Sequence, residues 1–108
     1  MRAFYHITKL GECLIQYTDS EHIKRFLDLI SRSNIGKEHF EEVLILSHIT
    51  SPIKIKTYSD GDVFECLDAD ERPFSISFGT DGKIITTRNN CVRHFIMTVS
   101  GLCFSVDN

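Results

Sequence analysis

Ile53-Lys54-Ile55-Lys56-Thr57-Tyr58 alternates between two kinds of side chain, residue by residue. A period of two is what a strand with one buried and one wetted face needs, because successive side chains leave opposite sides of the backbone. The stretch decides the fold because the same grammar continues after it. Asp60-Gly61 is a turn signal, and VFECL at 63–67 returns from it. Residues 68–73 form a polar corner. Phe74-Ser75-Ile76-Ser77-Phe78 alternates again, Gly79-Thr80-Asp81-Gly82 turns, and KIITTR follows at 83–88. Asn89-Asn90 breaks the chain once more. Runs at 91–99 and 102–106 bracket Ser100-Gly101 as a closing hairpin, although 91–99 would also fit a short helix. Everything after Pro52 is thus expected to be an antiparallel meander.

Upstream the period changes. Ile23, Phe26, Leu27 and Ile30 recur at i, i+3, i+4 and i+7, one apolar stripe at helical spacing. Thr18 and Glu21 have the spacing of a capping box, which satisfies orphan N–H groups at a helix start. Asn34 and Gly36 tolerate a left-handed stop. This predicts a helix over about 19–33. Residues 37–49 (KEHFEEVLILSHI) carry both a helical face at Phe40, Val43, Leu44 and Ser47 and a strand-like run, Val43-Leu44-Ile45-Leu46. Glu38, Glu41 and Glu42 favour a helix start through the macrodipole, so a second helix is the preferred reading. Ser51-Pro52 ends it in either case. Earlier still, AFYHIT at 3–8 and ECLIQY at 12–17 flank Lys9-Leu10-Gly11 and suit a hairpin. The expected fold is therefore α+β: a mainly antiparallel sheet of six to eight strands with one long helix, and a second over 37–49, packed on it.

The 108 residues suit one domain, 1–108, and the 42% apolar and 25% charged content is globular. The longest uncharged run, 95–106, has twelve residues, short of the roughly 20 that a spanning helix needs. MRAFYHITKLGE at the start has no sustained apolar core or small-residue cleavage site, so no signal peptide is expected and a cytoplasmic location is. Four cysteines, Cys13, Cys66, Cys91 and Cys103, sit in apolar contexts without C-x-x-C spacing. Four free, mostly buried thiols are expected.

Charge is segregated. Residues 59–71 (SDGDVFECLDADE) carry Asp60, Asp62, Glu65, Asp68, Asp70 and Glu71 and no Lys or Arg, within a chain of net charge −3. These six acids are the expected contact for a basic protein partner, since charge asymmetry speaks to association. Turns also favour Asp for its backbone hydrogen bonds, which is the plainer reading of the same residues. Carboxylates two apart at 60/62 and 68/70 resemble fragments of calcium loops, but the twelve-residue loop with its terminal Glu is absent. No metal or cofactor is expected.

Five histidines, His6, His22, His39, His48 and His94, show neither i, i+4 pairing nor structural zinc spacing. His22 and His39 fit solvated helix positions. His6 and His94 could meet across a sheet, and Cys91 with His94 could form a nucleophile–base pair. Nothing nearby supplies an oxyanion hole, so no catalytic residue is expected. Gly79-Thr80-Asp81-Gly82-Lys83 lacks P-loop spacing. The basic residues are dispersed, which argues against nucleic acid, and Arg88 with Arg93 around Asn89-Asn90 makes only a local basic spot. The expected function is a small protein-binding module, of inhibitor or immunity type, that neutralises a basic partner such as a nuclease toxin. The rivals are a small enzyme using His and Cys, and a structural or regulatory subunit that self-associates through a sheet edge.

Overall fold

Alternating strands joined by tight turns leave little choice but sequential pairing, and that is what forms. The computed structural model describes residues 20–59 and 61–107. Six strands, β1 (Lys54–Ser59), β2 (Val63–Leu67), β3 (Pro73–Phe78), β4 (Ile84–Arg88), β5 (Cys91–Thr98) and β6 (Gly101–Asp107), pair in chain order as one antiparallel sheet. Two helices, α1 (Ser20–Arg32) and α2 (Gly36–Leu46), cover one face. The α+β fold and both helices are as expected from the sequence, and 91–99 is strand rather than helix. The hairpin over 3–17, the Thr18 cap, His6, Cys13 and Asp60 lie outside the described residues.

The α1 stripe faces the sheet. Ile23, Phe26 and Ile30 are buried, with Leu29 beside them, and Leu27 is half-buried. Phe26 is the hub: its ring meets Phe40 of α2, Phe64 of β2 and Phe78 of β3 edge-on, with centroids 5.6, 4.9 and 5.9 Å away. That edge-to-face geometry suits the ring quadrupoles. The turn between the helices is tied to the sheet through Asn34, whose backbone N–H donates to Gly82 O and whose side-chain amide donates to Asp81 O. Gly82 has φ +89, and a Cβ there would stand 2.7 Å from the Asn34 side chain. The left-handed backbone favours glycine at that point, and a side chain there would also push the Asn34 amide off its bond to Asp81.

One sequence expectation is corrected. Strict alternation would put Tyr58 with Lys54 on the wetted face. The register instead shifts between Ile55 and Thr57, so that Ile55 pairs with Cys66 and Tyr58 with Phe64. A bulge adds one residue and flips the faces after it. Tyr58 therefore turns inward and packs against Phe64, with ring centroids 4.8 Å apart and the two planes tilted by 38°.

The helix layer does not reach the last strand. Phe95 is buried on the helix side, but its cross-strand partner Phe104 is 40% exposed and Val106 is 43% exposed on that side. The opposite sheet face carries Val63, Glu65, Ser75, Ser77, Ile85, Thr87, Val92 and His94, none of them buried.

Candidate functional site

The acidic segment does not gather into one surface, and the reason lies in strand geometry. Phe64, Cys66 and Asp68 fall at period two, so Asp68 shares the core side with the two residues before it. It is fully buried. The Asp70 and Arg72 backbone N–H groups donate to its Oδ1 at 2.9 and 3.0 Å, and Arg88 Nη1 donates to Oδ2 at 2.8 Å. The same Arg88 nitrogen donates to His48 O at 2.8 Å, and Arg88 is only 6% exposed. Burial pushes the Asp68 carboxyl up, but the donors from Arg72, Arg88, Asp70 and Thr50 outweigh it and hold the carboxyl below its ordinary value. A buried carboxylate so engaged cannot touch a partner, and Asp68 drops out of the expected contact. It is the pin that closes the β2–β3 corner.

Asp62 is also occupied within the fold. Arg25 Nη2 and the Tyr58 hydroxyl both donate to its Oδ1, at 2.8 and 3.1 Å. The Arg25 hydrogen bond is the main cause of a lowered Asp62 pKa. Glu65, Asp70 and Glu71 remain exposed. Glu65 projects from the uncovered sheet face, whereas Asp70 and Glu71 stand in the corner loop, where Glu71 meets Lys54 Nζ at 3.0 Å. The five described acids of the segment are thus divided among a core pin, a helix tether and a scattered remainder.

A more coherent acidic surface lies on α2. Glu38, Glu41, Glu42 and Ile45 stand at i, i+3, i+4 and i+7, and all four are exposed. They form a single outward stripe on the side opposite Phe40, Val43 and Leu44, which are buried. Ile45 is 63% exposed, and Leu46 next to it is also open. Glu42 accepts from the His39 ring at 2.8 Å, while Glu38 and Glu41 have no basic partner among the described residues. The signal was present in the sequence as Glu38, Glu41, Glu42 and Ile45 sharing helical spacing, once the segment is known to be a helix.

The histidine and cysteine pairings are mostly separated. Cys91 pairs with Arg88 on the helix side of the sheet, whereas His94, three residues along β5, projects from the other side. Their sheet intervenes, so they cannot act as nucleophile and base on one substrate. His94 Nε2 lies 3.0 Å from Asp107 Oδ2. His94, Cys103, Lys83 and Asp107 line a shallow depression, with no hydrogen bond between His94 and a thiol. Among the described cysteines, all free, Cys66 is buried, Cys91 half-buried and Cys103 exposed, so they are less uniformly buried than the sequence suggested. Burial pushes the Cys66 thiol well above its ordinary pKa, which removes it as a nucleophile. Among the described residues no three His, Cys, Asp or Glu side chains converge as metal ligands, and no helix is long and apolar enough to cross a membrane.

Comparison of the chain with protein-family models, with curated proteins and with solved structures finds no match.

Proposed function

We propose that this protein is a binding module for a basic protein partner, acting as an inhibitor or immunity-type protein that blocks the partner by covering a cationic surface. The observation that supports this reading is the α2 stripe. Three glutamates run into a 63% exposed isoleucine, an apolar contact with an acidic margin on a rigid helix. Interfaces commonly have that anatomy, with an apolar centre for affinity and a charged rim for steering and selectivity. A cationic partner, such as a nuclease that must hold phosphates, is the complementary surface.

The test begins with capture of partners from the native host at low salt. The recovered basic protein is then purified and mixed with wild type, with a Glu38→Gln, Glu41→Gln, Glu42→Gln variant and with Ile45→Ser. The reading expects weaker binding in both variants and loss of the partner's own activity on binding wild type. A partner bound equally by all three proteins would place the contact elsewhere.

A second reading has its own observation. The outer edge of β6 has no strand beside it among the described residues, and Phe104 and Val106 are open next to it. Unpaired apolar edges favour strand addition. Self-association along β6 predicts a concentration-dependent dimer, read by analytical ultracentrifugation, that a Val106→Lys change abolishes.

A further inference from the structure

Position 93 is an unusual place for an arginine. On β5 the helix-side positions are Cys91, Arg93, Phe95 and Met97, and Arg93 stands opposite Thr86 of β4 in that layer. Thr86 itself is buried and hydrogen-bonded to Ser47 at the end of α2. On β4 the same layer ends in Arg88, so two arginines from neighbouring strands enter it. The Asn89-Asn90 turn, with both residues left-handed (φ 52 and 65), brings Arg88 and Cys91 face to face.

Arg88 and Arg93 line one cleft of about 200 Å³ together with Arg72, His48, Asn89 and Cys91. Among the described residues a single acid serves these three arginines: Asp68, on Arg88. Arg72 and Arg93 have no acidic partner among the described residues, and the Nε–H of Arg93 is cut off from solvent without any acceptor. A buried donor left without an acceptor is costly and marks Arg93 as incompletely satisfied by the fold, and two guanidiniums beside one half-enclosed cleft repel each other. An anion with several oxygens in the cleft relieves that repulsion.

We infer that this cleft is a binding site for a doubly charged tetrahedral oxyanion, a phosphate group, with Arg93 and Arg72 as its principal ligands. Guanidinium forks match phosphate oxygens two at a time, and two uncompensated positive charges match a phosphate dianion better than a lone carboxylate. Arg88 is held in place by Asp68 and His48 O, which leaves it a fixed wall rather than a mobile ligand. The cleft is smaller than the roughly 300–1,000 Å³ of pockets that enclose drug-sized ligands, so it takes the phosphate group and leaves any esterified remainder outside. The cleft borders the end of α2 at Ser47 and His48, but none of its lining residues belongs to the glutamate–isoleucine stripe, and it does not rest on the function proposed above.

The test follows the Arg93 Nε–Hε resonance of the ¹⁵N-labelled protein at constant ionic strength while inorganic phosphate, glycerol phosphate or acetate is added. The inference expects a saturating shift with phosphate or the monoester, and little with acetate. Tighter binding of the monoester assigns the site to phosphorylated metabolites or side chains, and tighter binding of inorganic phosphate to the free ion. Arg72→Gln, followed at Arg93 Nε–Hε, and Arg93→Gln, followed at the backbone amide of Cys91 in the cleft wall, should each weaken the affinity about tenfold or more, the loss of one charge-assisted contact. Arg72 is exposed, so its variant keeps the test open should Arg93→Gln fail to fold. Acetate binding as tightly as phosphate, a shift that never saturates, or an Arg72→Gln protein with wild-type affinity would each overturn the assignment.

Discussion

The Asp68 carboxylate and the Arg88 guanidinium meet at 2.8 Å, with Asp68 wholly buried and Arg88 6% exposed. They stand at the ends of β2 and β4, two strands apart, and β3 runs between them. Each terminates a core-facing series at period two, Phe64-Cys66-Asp68 and Ile84-Thr86-Arg88. The pair joins the β2–β3 corner to the end of the sheet beneath α2, where His48 O takes the same guanidinium nitrogen.

Removing one member leaves the other charged and buried. Asp68→Ala should therefore cost about 3–5 kcal/mol, measured by urea denaturation. Replacing both with apolar residues, Asp68→Leu with Arg88→Met, should be markedly less damaging than Asp68→Ala alone, because no orphaned charge is left. A double variant as unstable as the single one would mean that the corner depends on the Asp68 backbone acceptors rather than on the ion pair.

Acid should act through the same carboxylate. Its folded pKa lies below the unfolded value of about 3.9, so its stabilising contribution is complete above about pH 5 and is lost as the pH falls through the folded pKa. Asp62, lowered by Arg25, adds to the loss in the same direction. Thermal melts from pH 7 down to pH 2 should show a flat upper range and then a fall, with a shallower fall in Asp68→Asn.

Much of this architecture was legible from local pattern. The Ile23-Phe26-Ile30 stripe and the alternation of residues 74–78 each point to one face, and local pattern suffices where one face is buried. The Tyr58 reversal was not legible, because a bulge is set by how β1 and β2 meet and not by β1 alone. The burial of Asp68 was half legible: its period with Phe64 and Cys66 puts it inward, but its base lies twenty residues away at Arg88. Arg72 joins Arg88 and Arg93 only once the meander folds, so the arginine cleft had no local signature beyond Arg88 and Arg93 flanking the turn.

Phe26 carries the contact between both helices and the sheet. Phe26→Ala should cost about 3–5 kcal/mol through the cavity it leaves. A variant that melts within a degree or two of wild type would contradict this placement of α1.

The described cysteines should differ in reactivity by position. Cys103 is exposed on β6, Cys91 half-buried, and Cys66 buried with little thiolate available. A thiol reagent followed by peptide mass spectrometry should label Cys103 first and Cys66 only after unfolding. Early labelling of Cys66 would mean that β2 opens in the native state.

If α2 presents an acidic, apolar-centred contact to a basic partner, as we propose, the rate of association with that partner carries its signature. Charge steering acts through a Debye length of about 10 Å at 0.1 M salt and about 3 Å at 1 M, whereas packing around Ile45 does not depend on salt. With the captured partner, the wild-type association rate should fall steeply as salt rises, and the Glu38→Gln, Glu41→Gln, Glu42→Gln protein should show a lower rate and a flatter salt dependence. Ile45→Ser should leave the rate near wild type and speed dissociation. Identical rates and salt slopes for wild type and the triple variant, or recovery of no basic protein from the host, would contradict the account.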